Sequence, residues 1–142
     1  MKQLIVPFFA LALAACGGPT YRATLAGANE KPNPVTTNGS GTVTATLDGT
    51  VLEITGSYAS LSGAATSAHL HGPADANTNA SNICSLTITE SATAGTGTLA
   101  GNCDTAQITA LTTANLDTNM YYINVHTGTN PGGEVRGQLN KQ

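Results

Sequence analysis

Short segments in which apolar and polar residues alternate are the feature of this sequence that most constrains the fold. Residues 41–47 alternate Val, Ala and Leu with Thr, and Asp48-Gly49 then supplies a tight turn into residues 51–58. A period of two is typical of a strand with one buried face, and an Asp-Gly turn between two such runs is typical of a hairpin. This part of the chain therefore predicts two antiparallel strands.

The same pattern continues through the rest of the chain, where helix signals are few. Six further strands are predicted at Tyr21–Leu25, Ser67–His71, Cys84–Thr89, Thr96–Ala100, Met120–Thr127 and Glu134–Leu139. About eight short strands joined by turns predict an all-β fold, a single Greek-key-like antiparallel β-sandwich, with a barrel as the alternative. Residues 104–114 are the one candidate helix, because Asp104 can cap it and Ile108 and Leu111 are three residues apart.

The first sixteen residues predict where the protein works. An apolar run, Leu4–Ala15, follows Lys2 and is too short to span a bilayer. Small residues precede Cys16, as in bacterial lipoprotein signals, whose cysteine is lipidated before cleavage. We therefore expect a signal peptide over residues 1–15, a lipidated Cys16 with a tether over residues 16–20, and a β domain over residues 21–142. An ordinary secretory signal that leaves a free thiol is the alternative.

Lipidation of Cys16 would place the domain on a membrane surface that faces out of the cytoplasm, since two or more acyl chains anchor stably. Gly17 follows Cys16 where an Asp would resemble an inner-membrane retention signal, which favours the outer membrane in a cell that has one. The sequence thus predicts a lipid-anchored protein of the cell envelope. Its four basic residues beyond the signal form no cluster, so nucleic acid is not an expected partner.

Cys84 and Cys103 remain once Cys16 is assigned to lipid. In an oxidising compartment two such cysteines are expected to form a disulfide. Both Phe residues lie in the signal and the chain has no Trp, so the core lacks large aromatic side chains other than Tyr. A disulfide that closes a loop of this length would add about 3 kcal/mol to such a core. Metal-ligating thiolates are the alternative, which the absence of a CxxC spacing disfavours.

The three His residues occupy two segments, at His69 and His71 and at His126. Side chains two apart on a strand point to the same side, so His69 and His71 project together. Alternation in residues 121–126 places His126 on the polar face, so the three imidazoles converge if the two strands are neighbours. Three neutral imidazoles suit copper, and zinc less well. Alternatively, the His residues hydrogen-bond loop carbonyls and bind no metal.

Glu134 and Arg136 form a second polar cluster, on one face of the last predicted strand. They are within reach of each other or of loops beside the His residues, which makes them candidates for anion guidance or for support of a metal site. Their alternative role is that of strand-surface charges that orient a turn, where an ion pair is worth about 0–1 kcal/mol. The sequence offers no nucleophile elbow, phosphate-binding loop or catalytic carboxylate pair, so a hydrolase is poorly supported.

These motifs together resemble the CHRD domain, a module of chordin and of many bacterial envelope proteins. The resemblance is carried by residues 21–30, 67–74, 122–127 and 131–139, which keep the order of the family's motifs. It implies an all-β domain and, in chordin, an extracellular role around growth-factor binding. It implies no established activity for bacterial members.

A looser resemblance is to the copper site of Cu,Zn superoxide dismutase, in which an HxH strand and a later His hold the metal. It implies copper ligands at His69, His71 and His126 and a guiding role for Arg136. The chain has no further His to bridge copper to zinc and no zinc loop, which excludes a complete dinuclear site.

Three functions follow as expectations. The first is a membrane-anchored domain that binds a metal ion, copper before zinc, through the three His residues. The second is a non-catalytic module of the envelope that binds a protein or a polysaccharide. The third is a copper-only, dismutase-like enzyme, which is the least expected because it also needs an open, redox-active copper position.

Overall fold

The computed structural model describes residues 17–142, so the predicted signal peptide and Cys16 lie outside the described residues. The described chain forms strands, a 3₁₀ turn at Gly27–Asn29 and one short helix, α1 (Thr113–Asp117). The strands are β1 (Thr20–Ala26), β2 (Ser40–Asp48), β3 (Val51–Ala59), β4 (Ala65–His71), β5 (Asn82–Glu90), β6 (Gly97–Asp104), β7 (Tyr122–Thr127), β8 (Val135–Gln138) and β9 (Asn140–Lys141). Each of the predicted strands is present, with bounds shifted by a few residues.

The strands form one antiparallel sheet that closes on itself. Its order is β2-β3-β6-β5-β4-β7-β8-β1, and β1 also pairs with β2, while β9 adds to β1 beyond the end of β8. Strands β4, β5 and β6 are consecutive neighbours and β7 returns beside β4, which is a Greek key. The predicted all-β, Greek-key-like antiparallel fold is confirmed, and the closed sheet makes it a barrel.

The first predicted hairpin is confirmed by the pairing of β2 with β3, in which Asp48 lies opposite Val51. Gly49 takes a positive φ of 59° in the turn, a conformation that glycine adopts without strain. Beyond this hairpin, the sheet begins at Thr20, and the carbonyl of Pro19 already accepts a hydrogen bond from the amide of Leu47. The first strand therefore begins within the segment predicted as a tether.

The barrel interior is built from aliphatic side chains and buried Tyr rings, as the composition predicts. The hydroxyls of Tyr21 and Tyr121 donate to Asp117 and to the carbonyl of Ala110, so the polar ends of these rings are satisfied. The predicted disulfide is confirmed and joins Cys84 on β5 to Cys103 on β6. The nine described strands, this core and the disulfide lie within residues 17–142, and the sheet closes through pairings among these residues.

The predicted helix over residues 104–114 is misplaced. Asp104 caps only a turn, in which its carboxylate accepts from the amide of Ala106 at 2.8 Å, and α1 begins later at Thr113, capped by Thr112. Leu111 and Leu116 are the buried residues of this segment, and the frequent Thr residues, which are weak helix formers, disfavour a helix longer than the five residues of α1. No helix within residues 17–142 is long and apolar enough to cross a membrane.

Candidate metal centre

The three His residues lie on the outer face of two neighbouring strands. Strand β4 pairs with β7 in a register that sets Ser67 opposite His126 and His69 opposite Asn124. The residues that alternate with them, such as Leu70, are fully buried in the barrel core. Because successive side chains of a strand point to opposite faces, His69, His71 and His126 share the outer face.

The imidazoles converge, as the sequence predicts. Nδ1 of His69 lies 3.2 Å from Nε2 of His126, and the ring centroids of these two residues are 5.0 Å apart. The ring of His71 is 5.6 Å from that of His69 and 6.0 Å from that of His126. One ring nitrogen from each of the three lies within 4.8 Å of the others, a spacing that one metal ion could bridge.

Backbone carbonyls fix which nitrogen of two rings faces the cluster. Nδ1 of His71 lies 2.9 Å from the carbonyl of Ala80, and Nδ1 of His126 lies 3.0 Å from that of Pro131. A carbonyl only accepts, so each Nδ1 carries the hydrogen and each Nε2 carries a lone pair. The Nε2 lone pair of His126 accepts a hydrogen bond from Nδ1 of His69 at 3.2 Å. Nε2 of His71 is buried and has no hydrogen-bond partner. The cluster thus presents an unpaired imidazole lone pair, which a metal ion would satisfy.

Burial lowers the pKa of all three imidazoles. For His71 the hydrogen bond to Ala80 raises the pKa, but by less than burial lowers it. Repulsion between the rings lowers the pKa of His69 and His71 further, and Arg136 adds to this effect on His71. For His126 the hydrogen bond to Pro131 acts in the opposite direction but is the smaller cause. All three rings are therefore held in the neutral form, which is the form that binds metals.

Tyr122 supports His71 through its ring and its hydroxyl. The two rings are stacked, with centroids 4.9 Å and planes 9° apart. The Tyr122 hydroxyl lies 3.1 Å from the amide and 3.2 Å from the carbonyl of Ala80, the residue that also accepts from His71. One loop residue is thereby tied to both rings. Alternation along β7 places Tyr122 on the same face as His126, but no sequence pattern indicates its contact with His71.

Arg136 lies behind Tyr122 and not over the His cluster. Its guanidinium carbon is 3.5 Å from the centre of the Tyr122 ring, and because β7 lies between β4 and β8 the ring is held between His71 and Arg136. The guanidinium donates to the side chains of Asn79 and Gln138 and to backbone carbonyls of the loop after β4. Only 1% of Arg136 is exposed, so the expectation of a strand-surface charge is wrong.

Glu134 is also fully buried and does not pair with Arg136. Its carboxylate accepts hydrogen bonds from the side chains of Thr37, Ser62, Thr127 and Asn130 and from the Ser62 amide. Burial alone would raise the pKa of Glu134, but the hydrogen bonds from Ser62, Thr37 and Thr127 lower it to about 2. Asn130 precedes Pro131, so Glu134 holds the loop whose carbonyl orients His126. Glu134 and Arg136, which were predicted beside the site, therefore contact no imidazole directly. Glu134 acts on His126 through the loop of Asn130 and Pro131, and Arg136 acts on His71 through Tyr122.

A second buried carboxyl belongs to Glu30, in the segment between β1 and β2, and nothing in the sequence indicates it. Only 3% of Glu30 is exposed, and burial raises its pKa to about 7. One carboxylate oxygen accepts from Asn124 at 3.2 Å, while Oε1 has no partner. Asn124 fits there because Gly133 has no side chain, since a Cβ on Gly133 would lie 2.5 Å from the Asn124 amide. No residue pattern predicts the burial of Glu30, because it depends on how the loops fold over the sheet.

The donor set fits a borderline metal ion better than a hard cation. Three imidazole nitrogens face one another, and Cys84 and Cys103 are bound in the disulfide and cannot contribute thiolates. In the part of the chain that the structure describes, no other group of three or more His, Cys, Asp or Glu side chains converges in this way. The metal-site prediction is thus supported in its ligand geometry, and the identity of the metal stays open.

Comparison with known proteins agrees with this architecture. The profile of the CHRD domain matches residues 21–139, which include the whole barrel apart from its terminal residues. No curated protein and no solved structure matches the chain significantly. The matched region contains His69, His71, His126 and both disulfide cysteines. The chain therefore belongs to the CHRD domain family.

Proposed function

We propose that this CHRD domain binds a single metal ion, copper in preference to zinc, through His69, His71 and His126, and that lipid on Cys16 anchors it in the cell envelope. The domain would store or buffer the metal, or protect the envelope against redox damage. The observation that carries the metal proposal is the buried Nε2 of His71, which has no partner and faces two further imidazoles.

Two carbonyl hydrogen bonds make the site preorganised. Metal-binding His residues commonly donate the N–H of the ring nitrogen that does not bind the metal to a carbonyl or carboxylate, which fixes the tautomer and the orientation of the ring. His71 and His126 already do so, through Ala80 and Pro131. A set of His residues that served only to tie loops together would leave no buried lone pair unsatisfied. The cluster therefore supports binding over a purely structural role.

Copper is proposed because an all-imidazole site has no feature that opposes the usual order of affinities, in which copper(II) exceeds zinc. Copper bound there would supply a reversible one-electron couple. The dismutase-like alternative is less well supported, since Arg136, which would guide the anion, stacks behind Tyr122 and is 1% exposed. We therefore propose a binding protein and not an enzyme.

Competitive titration of residues 17–142 with copper(II) and zinc tests the metal proposal. We expect one equivalent of copper to bind with sub-micromolar affinity, and zinc more weakly. Changing His69, His71 and His126 to Gln should abolish this binding. Ser67→Ala is the matched control, because Ser67 lies on the same strand and pairs with His126 without offering a strong ligand. Equal weak binding by all three proteins would refute the proposal.

Anchoring by Cys16 is a separate proposal with its own test. It rests on the apolar leader and the small residues before Cys16. Because the sheet begins at Thr20, only a few residues would separate the lipid from the barrel. In a bacterial host, we expect the full chain to enter the detergent phase and to incorporate labelled palmitate, and Cys16→Ser to do neither. Unchanged labelling of the variant would contradict lipidation at this position.

A further inference from the structure

A second concave site lies apart from the His cluster, on the outer face of β1. It is a cleft of about 760 Å³ between β1 and the strands beside it, walled by the loops that follow β1 and β4. This volume is within the range of pockets that hold small ligands. Neither His69, His71 nor His126 lines it, so it is a distinct site.

The cleft gathers most of the positive charge of an acidic chain. The chain carries a formal net charge of −3, and beyond Lys2 its basic residues are Arg22, Lys31, Arg136 and Lys141. The first three of these line the cleft, and no Asp or Glu does. The one ion pair within residues 17–142 joins Lys141 to Asp117, which leaves the cleft cations without carboxylate partners in the described chain. An anion is the complementary ligand.

Arg136 forms a fixed part of the cleft, since it is nearly inaccessible and its guanidinium bonds only to neutral oxygens of side chains and backbone. Two acids lie near it. The carboxylate of Asp75 is engaged by the amide of Asn77 and the hydroxyl of Thr78, and Glu30 is buried against Asn124. Neither carboxylate lines the cleft, so the exposed cation Arg22 and the half-buried Lys31 are left to meet a ligand.

The remaining walls are hydroxyls and amides. Thr24 and Thr42 are exposed, and so are Asn29 and Asn140, whose amide nitrogens donate to backbone carbonyls while their amide oxygens are left to accept. Such groups match the hydroxyls of sugars. No aromatic side chain lines the cleft, which removes the stacking platform on which nucleic-acid bases bind, and no large apolar side chain lines it to receive a lipid chain.

We propose that this cleft binds an acidic oligosaccharide, whose carboxylates pair with Arg22 and Lys31 and whose hydroxyls bond to the Thr and Asn side chains around them. The cleft shares Arg136 with the support of the metal centre, but its proposed ligand contacts, Arg22 and Lys31, touch neither the His cluster nor the anchor. Polysaccharide binding was one of the alternatives from the sequence, and the cleft provides a specific surface for it. An envelope protein would use this surface to contact a charged polysaccharide.

Calorimetric titration of residues 17–142 with trigalacturonate tests the proposal, with the neutral trisaccharide maltotriose as the comparison ligand. We expect trigalacturonate to bind, more weakly at higher ionic strength, and maltotriose not to bind measurably. Arg22→Gln with Lys31→Gln should lower the affinity at least tenfold. Lys141→Gln, which removes a basic residue outside the cleft, should change the affinity less than twofold. Thermal unfolding of each variant shows whether the barrel is intact.

Three outcomes would overturn the proposal. The first is no binding of trigalacturonate by the folded domain, and the second is an equal loss of affinity in Lys141→Gln and in the double variant. The third is equal or tighter binding of a single-stranded oligonucleotide or of vesicles that contain phosphatidylglycerol, which would make the cleft a general polyanion or membrane-contact site. None of these measurements involves copper, so they leave the metal proposal untouched.

Discussion

The ring of His71 is stacked on the ring of Tyr122, with the centroids 4.9 Å apart and the planes 9° apart. The guanidinium carbon of Arg136, on β8, lies 3.5 Å from the centre of the Tyr122 ring. Three side chains from the neighbouring strands β4, β7 and β8 therefore form one stack. This stack restricts the rotation of the His71 ring and keeps its Nε2 directed at the other two imidazoles. The metal centre is therefore held by an aromatic contact as well as by hydrogen bonds.

Removing this aromatic support should weaken metal binding without removing a ligand. In Tyr122→Leu the stack on His71 is lost, and we expect about a tenfold loss of copper affinity, as is usual when a group that orients a metal ligand is removed. Tyr122→Phe keeps the stack and loses only the hydrogen bonds to Ala80, so its affinity should stay within about threefold of the wild type. Competitive titration measures both, and equal affinities for the two variants would contradict the role of the ring.

Glu30 should make the domain less stable as the pH rises. Its pKa is raised from 4.5 to about 7 by burial, so its contribution to stability is present below pH 4.5 and is lost as the pH rises through about 7. The shift corresponds to about 3 kcal/mol at most. Glu30→Gln mimics the protonated carboxyl and should be more stable than the wild type at pH 8 but not at pH 4. Urea unfolding at pH 4 and pH 8 measures the difference in stability between the variant and the wild type. The His residues are present in both proteins, so their titration cancels in this comparison.

The opposite result, a variant less stable than the wild type at pH 8, would show that the ionised carboxylate is favoured in the folded domain. In that case Glu30 would act as the counter-charge of Arg136, which already attracts its negative form. The two outcomes differ in sign, so the measurement does not depend on the exact size of the shift.

The strands and the His cluster were predictable because both follow from alternation, which is a local property of the sequence. HxH on one strand and a His on the polar face of another needed only the pairing of β4 with β7 to meet. The burial of Glu134 and Arg136 was not predictable, since it results from loops that fold over the outer face of the sheet. Ala80 and Pro131 act through backbone carbonyls, which leave no signal in residue type.

The disulfide should contribute to stability but not to metal binding. Cys84 and Cys103 are 19 residues apart, and in the chain-entropy model a loop of this size is worth about 3 kcal/mol. Changing both to Ala should lower the free energy of unfolding by about that amount. Copper affinity should stay within about threefold, because no ligand lies on β5 or β6. A stability loss under about 1 kcal/mol would indicate that the reduced barrel is already well packed.

Glu134 should make the domain sensitive to acid. Hydrogen bonds from Ser62, Thr37 and Thr127 outweigh the burial that would raise its pKa, and they lower the pKa from the ordinary 4.5 to about 2. Its contribution, about 3 kcal/mol, is therefore present above pH 4.5 and is lost as the pH falls toward 2. Glu134→Gln cannot accept all these bonds and should be destabilised by about 2 to 4 kcal/mol at pH 7, with a smaller further loss in acid.

Urea unfolding at pH 7 and pH 3 measures this dependence, with Glu53→Gln as the control because Glu53 is exposed on β3. The control should follow the wild type at both pH values. Because Glu134 also holds Asn130 beside Pro131, Glu134→Gln should bind copper more weakly than Glu53→Gln under conditions in which both are fully folded. If the two variants bound copper equally, the carboxylate would stabilise the loop without orienting His126, and the position of the Pro131 carbonyl would have to be set by the strand ends alone.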